Sequence, residues 1–268
     1  MTSVQILFLG SGDAFSAGGR HQAGYLVTGS GTSILLDCGT TTLASLKRDG
    51  VPADRIDTIL ISHLHGDHFA GLPFLFLEYT YVEPRRRPLR IAGPPGTGDR
   101  VHELFRAMYS DAGSRPLPFE LDFIELRPGT LIQAGPAVVD PFRVPHQETG
   151  LSLGLGVTLD GRRIVYSGDT GWTEDLISRS EGADLFICEC SFFETRMDSH
   201  LDYPRIAENR HRFTAKRVIL THLGGEVLAR RSKIHIELAR DGLRVDLGQD
   251  CPGQGPGGPG RIPLGSIT

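Results

Sequence analysis

Cysteine is scarce in this chain, long apolar runs are missing, and neither sign of charge dominates. The four cysteines in 268 residues, Cys38, Cys188, Cys190 and Cys251, fit no disulfide framework. Cys188 and Cys190 alternate within a strand-like run, too poor a geometry for a mutual bridge. A disulfide-stapled secreted scaffold is therefore excluded, and a reducing cytoplasm is the expected compartment. No apolar stretch approaches the ~20 residues of a membrane span. The N-terminal residues run straight into an apolar strand with no basic region or cleavage site, so a soluble, non-exported protein is expected. A net charge of −4 gives no global pull toward nucleic acid, and any polyanion would have to be met by a local patch. The length suits one layered α/β domain with a substantial core.

What the chain does have is His63-Leu64-His65-Gly66-Asp67-His68, three imidazoles and a carboxylate in six residues. It follows Thr58-Ile59-Leu60-Ile61, which reads as a buried strand. At an extended strand end His63 and His65 would share a side, while Asp67 and His68, one step further on, would face a neighbouring point. One segment could thus serve two adjacent cations. Imidazole and carboxylate without thiolate suit Zn²⁺ or a similar divalent ion.

Strand patterns dominate the rest. They cover Val4 to Leu9, Gly24 to Thr28, Ser33 to Asp37, Leu89 to Ala92, Leu121 to Leu126, Ala137 to Val144, Leu151 to Leu159, Arg162 to Tyr166, Asp184 to Glu189 and Val218 to Leu220. Two short C-terminal strands are expected around Ile234 to Leu238 and Leu243 to Leu247. Gly29-Ser30-Gly31 and Asp160-Gly161 read as hairpin turns. Helices are expected after Thr40 to Thr42, over Asp99 to Met108, over Trp172 to Ser180 and from Tyr203 to about His211. This distribution predicts an α/β (α+β) fold, two sheets packed face to face with helices outside, as one domain over 1–250. Residues 251–268, with six glycines and four prolines, read as a disordered tail.

Three further ligand-type residues stand where a strand pattern stops: His146 after Val144-Pro145, Asp169 after Tyr166-Ser167-Gly168, and His222 after Leu220-Thr221. With Asp37 in Leu35-Leu36-Asp37-Cys38-Gly39, the chain resembles the metallo-β-lactamase superfamily, whose five motifs occur here in order over residues 1–248. The resemblance implies a four-layer αββα sandwich. It implies two divalent ions, one held by His63, His65 and His146, the other by Asp67, His68 and His222, with Asp169 bridging. Asp37 would orient ligands without binding metal. Histidine at 65, where oxygen-handling relatives carry glutamate, favours zinc without excluding iron or manganese.

Phe8-Leu9-Gly10-Ser11-Gly12-Asp13, His68-Phe69-Ala70-Gly71-Leu72-Pro73 and Ser167-Gly168-Asp169-Thr170 are similar to segments of the ribonuclease Z-like phosphodiesterase branch. Glu189 and His200 match that branch's pair that protonates the leaving oxygen. Two divalent ions less two carboxylates and a hydroxide leave one positive charge, which a phosphodiester monoanion cancels. The implied reaction is attack of a metal-bridging hydroxide on phosphorus, with His200, oriented by Glu189, donating a proton to the departing alkoxide. Ribonuclease Z grips transfer RNA with a long arm between the third motif and the bridging Asp, whereas here only a hairpin separates His146 from Asp169. Arg85-Arg86-Arg87 with Arg90 could form at most a small anion-attracting patch, and a solvated loop is its plainer reading. A small or cyclic phosphodiester is therefore favoured over RNA as substrate. The alternatives are a ribonuclease Z-type endonuclease, or a lactone, thioester or sulfate-ester hydrolase on the same metals. No membrane partner is expected, and dimeric relatives make a homodimer compatible with the resemblance.

Overall fold

A computed structural model of the chain describes residues 3–248. The first sheet is built from β1 (Val4–Gly10), β2 (Gly24–Gly29), β3 (Thr32–Leu36), β4 (Thr58–Leu60), β5 (Leu89–Gly93) and β6 (Leu121–Glu125). The second takes β7 (Ile132–Ala134), β8 (Ala137–Val144), β9 (Ser152–Leu159), β10 (Arg162–Tyr166), β11 (Leu185–Glu189), β12 (Val218–Thr221) and β13 (Glu237–Leu238). β14 (Arg244–Leu247) then returns antiparallel to β1 at the edge of the first sheet. Each sheet has seven strands, neighbours in chain order apart from that return.

The strands alternate or run apolar because both faces of each sheet are covered. Between the sheets, Phe8, Tyr25, Val27 and Ile34 from the first meet Leu155, Val157, Ile164 and Ile187 from the second. Outside the first sheet pack α1 (Thr42–Arg48), the one-turn α2 (Gly66–Phe69), α3 (Leu72–Tyr81), α4 (Thr97–Met108) and the short α5 (Ser110–Gly113). Outside the second pack α6 (Asp175–Ser180), α7 (Tyr203–Asn209) and α8 (Gly225–Ala229). Full burial of each such Leu, Ile or Phe contributes about 1.5–3 kcal/mol, so three apolar layers hold the αββα sandwich together. Among the described residues no helix is long and apolar enough to cross a membrane.

Several expectations change in detail. The strand after the first helix ends at Leu60, and Asp67 and His68 lie on the first turn of α2. Side-chain alternation is therefore not what separates them from His63 and His65; the switch from extended chain at His65 (ψ 149°) to helix is. α3 was not expected from the pattern, and neither were β7, α5 or α8. The helix expected from Trp172 begins at Asp175, and the strand expected from Ile234 shrinks to Glu237–Leu238. In the Arg85 to Arg87 loop Arg86 and Arg87 are exposed, as a solvated loop would have them, and Arg85 is the exception. Arg85 is fully buried, donates to the backbone carbonyls of Ile56, Arg87 and Pro88 and to Asp54 Oδ1, and lies over the Tyr79 ring. Arg87 is paired with Asp57 and Arg90 with Asp122 at the surface, so carboxylates match much of this charge. The tail expected over 251–268 lies outside the described residues.

Candidate metal centre

The parallel strands β3, β4, β10, β11 and β12 all deliver their carboxyl ends to one edge of the sandwich, the place where open α/β sheets put their ligand sites. Asp37 leaves β3, Ser62 and His63 follow β4, Asp169 follows β10, Glu189 ends β11 and His222 follows β12. His146, after β8, reaches the same point. Two of these exits are strained: Asp37 (φ 56°) and His222 (φ 54°) adopt the left-handed conformation. Such residues cost about 1–3 kcal/mol each and persist where surroundings over-determine them.

All seven predicted ligands come together in two groups. His63, His65 and His146 form one, and Asp67, His68, Asp169 and His222 the other, with the ligand atoms of each group within 4.8 Å of one another. Asp169 Oδ2 links the groups: it stands 3.2 Å from Nε2 of both His68 and His222, and 4.0 Å from Nε2 of both His63 and His146. His65 Nδ1 is 3.0 Å from His146 Nε2, and Asp67 Oδ2 is 3.2 Å from His68 Nε2 and 3.3 Å from His222 Nε2. A tetrahedral ion with bonds of about 2.0–2.1 Å separates its ligands by roughly 3.3 Å. Three fully buried atoms of the cluster, His63 Nε2, His68 Nε2 and Asp169 Oδ1, have no hydrogen-bond partner among the described residues. Buried polar atoms are rarely left so, and converging lone pairs on one point fit a divalent cation.

Two buried carboxylates hold the rings. Asp37 accepts from His68 Nδ1 at 2.7 Å, from Tyr166 Oη at 2.8 Å, and from the backbone N–H and hydroxyl of Ser62 at 2.7 Å each. With its proton so engaged, Ser62 Oγ accepts from His63 Nδ1 at 3.0 Å. Glu189 repeats the device across the site. It accepts from His200 Nδ1 at 3.0 Å, from Thr170 N at 2.6 Å and from Ser191 Oγ at 2.7 Å, and Ser191 Oγ in turn accepts from His222 Nδ1 at 3.0 Å. Each carboxylate thus fixes one imidazole directly and a second through a serine, leaving every Nε2 free to face inward. His146 is held differently, donating Nδ1–H to the Ser199 carbonyl at 2.8 Å.

Asp37, Glu189 and the seven candidate ligands singled out from the sequence lie together here, whereas Ser62, Ser191 and Tyr166 were missed. The adjacency Ser62-His63 and the spacing Glu189-x-Ser191 are the only signals they left, and neither is specific. His200 is not a helix start: Asp202 caps α7, accepting from Arg205 N at 2.9 Å, and His200 faces the site. Glu189 also has more than the single role expected of it, since it reaches His222 as well as His200.

Charge follows position. Burial disfavours a charge on His68 and His222, but Asp169 outweighs it, aided by Asp37 and Asp67, so both are raised, His222 to about 9. His63 goes the other way: burial and the neighbouring His68 keep it neutral. Burial opposes ionisation of Asp169, but His222 and His68 hold its carboxyl well below the usual range. Burial also opposes charge on His200, and the Glu189 hydrogen bond overrides it, raising the imidazole. A cavity of 510 Å³ opens onto His65, Asp67, Asp169, His200 and His222.

Two facing mixed sheets with a His/Asp cluster at their strand ends define a metallo-β-lactamase-fold protein with a candidate divalent-metal site. Within that class the chain belongs to the family described as anti-Pycsar protein Apyc1, whose model matches residues 4–241. It is similar to the ribonuclease Z of Bradyrhizobium sp. strain ORS 278, 27% identical over 290 residues that cover 86% of this chain and 94% of the relative. Among solved structures, the short form of human tRNase Z has a TM-score of 0.73 at 28% identity, covering 91% of this chain and 100% of that one. The metallo-β-lactamase fold protein YhfI of Bacillus subtilis has a TM-score of 0.75 at 22% identity, covering 92% and 100%.

Proposed function

We propose that this chain is a binuclear metal-dependent phosphodiesterase acting on small or cyclic phosphodiesters. The observation that carries the reading is the Glu189–His200 pair on the wall of the cavity into which the ligand cluster opens. His63, His65 and His146 would hold one ion and Asp67, His68 and His222 the second, with Asp169 shared between them; this nitrogen and oxygen donor set suits zinc, with manganese or iron as alternatives. Ions bound there supply Lewis acidity toward a phosphoryl oxygen and make a water molecule more acidic.

The chain's own residues do the rest. His200 has Nδ1–H committed to Glu189, so its other nitrogen carries the transferable proton into the cavity. Raised by that carboxylate, the imidazole holds its proton more firmly than a free one and can give it to the departing alkoxide as the phosphorus–oxygen bond breaks. Lactones and thioesters have less need of such a donor. Among the described residues no Lys or Arg lines the cavity, while binding of a polyanion rests on such contacts to phosphate. Between His146 and Asp169 the chain makes only the β9–β10 hairpin through Asp160 and Gly161, which supports a small substrate over transfer RNA. Likeness to ribonuclease Z favours RNA cleavage as the second reading.

Purified protein should hydrolyse bis(p-nitrophenyl) phosphate and members of a cyclic-nucleotide panel, process precursor transfer RNA poorly, and hold about two ions per chain by elemental analysis. Efficient precursor cleavage at the discriminator end would establish the second reading. A stoichiometry at or below one ion in metal-replete buffer would remove the shared role of Asp169.

A further inference from the structure

We propose that Glu226 is a positioning residue for the reaction: it clamps the loop between Phe192 and His200 onto the segment that carries His222, and so keeps the proton donor in register with the candidate metal centre. The inference rests on the phosphodiesterase reading and names the residue that holds His200 where that reading needs it.

The loop has no regular structure of its own. At its base Phe192 N donates to Leu201 O at 3.2 Å and Tyr203 N donates to Phe192 O at 2.9 Å. Between these, Glu194, Thr195, Arg196, Met197 and Asp198 are all exposed, and His200 follows two residues later. Exposed chain without helix or strand opens at little cost. A donor carried on it would be shifted by small motions of the loop, and a misplacement of about 1 Å can cost about 10²-fold in rate.

Glu226 supplies the order that the loop lacks. Its Oε2 accepts from the backbone N–H groups of Phe193, Glu194 and Thr195 at 3.0, 2.7 and 3.0 Å, and its Oε1 accepts from the Thr195 hydroxyl. The Thr195 hydroxyl and the three N–H groups hold the carboxyl down at about 2, so it stays anionic and accepts strongly. Arg230 adds a second tie, pairing with Glu194 at 2.6 Å and lying 5.4 Å over the Phe193 ring. Both ties come from the chain that follows His222. Gly224 caps α8 and Glu226 is its second residue. A Cβ at Gly224 would lie 2.1 Å from the Ser191 carbonyl oxygen, so this segment and the one leading into the loop touch backbone to backbone. The stretch that delivers a candidate ligand therefore also fixes the donor, and the two keep one spacing.

Two substitutions separate reach from charge. Glu226→Asp keeps the charge and withdraws the carboxylate by about 1.5 Å, one carbon–carbon bond. Glu226→Gln keeps a carbonyl oxygen within reach and loses the charge. In the metal-loaded full chain, Glu226→Asp should lower kcat about 10²-fold on the cyclic nucleotide that wild type turns over fastest. On bis(p-nitrophenyl) phosphate the change should be less than about threefold, because nitrophenolate leaves without a proton. Glu226→Gln should stay within roughly fivefold of wild type on both, the geometry being kept with weaker bonds. A general loss of fold would cost both esters alike. The second readout needs no turnover: in protein carrying nitrogen-15-labelled histidine, the His200 Nδ1–H signal, assigned by its absence in His200→Ala, should be sharp in wild type and in Glu226→Gln and broadened away in Glu226→Asp. Equal losses on both esters in Glu226→Asp, a larger loss in Glu226→Gln than in Glu226→Asp, or a His200 signal that neither change disturbs overturns the clamp. Where wild type turns over no cyclic nucleotide, the signal decides by itself. Wild type that turns over neither ester, with the His200 signal lost in Glu226→Asp, sinks the phosphodiesterase reading and leaves the positioning role standing. Turnover of both esters with signal and selectivity unchanged in Glu226→Asp does the reverse.

Discussion

Ser191 Oγ stands 3.0 Å from Nδ1 of His222. Because the Ser191 proton is given to Glu189 at 2.7 Å, the hydroxyl can only accept from the ring, and His222 is fixed in the tautomer that leaves Nε2 free to bind a cation. One buried carboxylate therefore governs both the proposed proton donor and a proposed metal ligand.

Ser191→Ala should lower metal affinity about 10- to 100-fold, the usual cost of removing a group that orients a ligand. Glu189→Gln should lower it too, alongside its effect on His200. Competition with a chromogenic chelator measures both. Unchanged affinity in Ser191→Ala would show that the relay does not orient His222.

His200→Ala should reduce hydrolysis of an alkyl or nucleoside diester by about 10² to 10⁴, the range of general-acid assistance. The loss on bis(p-nitrophenyl) phosphate should be much smaller, because nitrophenolate leaves without a proton. Metal content should stay the same, since His200 is outside the seven-ligand set. Equal losses on both substrates would take the acid role away from it.

Metal binding should release protons and strengthen with pH. In the metal-free chain Asp169 holds a proton on His222 up to about pH 9, and His68 is raised in the same sense. Each proton displaced gives a tenfold gain in apparent affinity per pH unit until that group has titrated. Stability of the metal-free fold should run the other way. A raised histidine contributes fully below its ordinary value of 6.5 and loses the contribution as pH rises to about 9. Melting curves of the two forms between pH 6.5 and 9 should diverge; parallel curves would contradict the assigned charges.

Gly171→Ala should damage the site without touching a ligand. A Cβ there would lie 1.7 Å from the Asp198 carbonyl oxygen, so the segment leading to His200 must move. That segment also carries the Ser199 carbonyl that holds His146. We expect about 1–3 kcal/mol of destabilisation and a lower kcat. Wild-type activity with an unchanged melting temperature would mean the 198–200 segment is free to adapt.

Local order was legible in the sequence and its convergence was not. Alternating and continuous apolar runs gave nearly every strand within a residue or two, because strand burial is written in short-range periodicity. α3 escaped because Leu72-Pro73-Phe74-Leu75-Phe76-Leu77 is apolar almost all round, and a buried helix of that kind shows no 3.6-residue stripe. The candidate ligands were legible through the spacing of His63 to His68 and through His146, Asp169 and His222 at strand ends, since parallel strands send such ends to one edge. That Ser62 and Ser191 relay buried carboxylates to ring nitrogens, that Arg85 is a core residue wired to carbonyls of Ile56 and Pro88, and that Phe15 faces the cavity were decided by tertiary structure alone. Serine, arginine and phenylalanine carry no fixed role in their spacing. Their partners lie up to 31 residues away for Ser191 and Arg85, and only closure of the two sheets brings each polar group to the one atom that satisfies it.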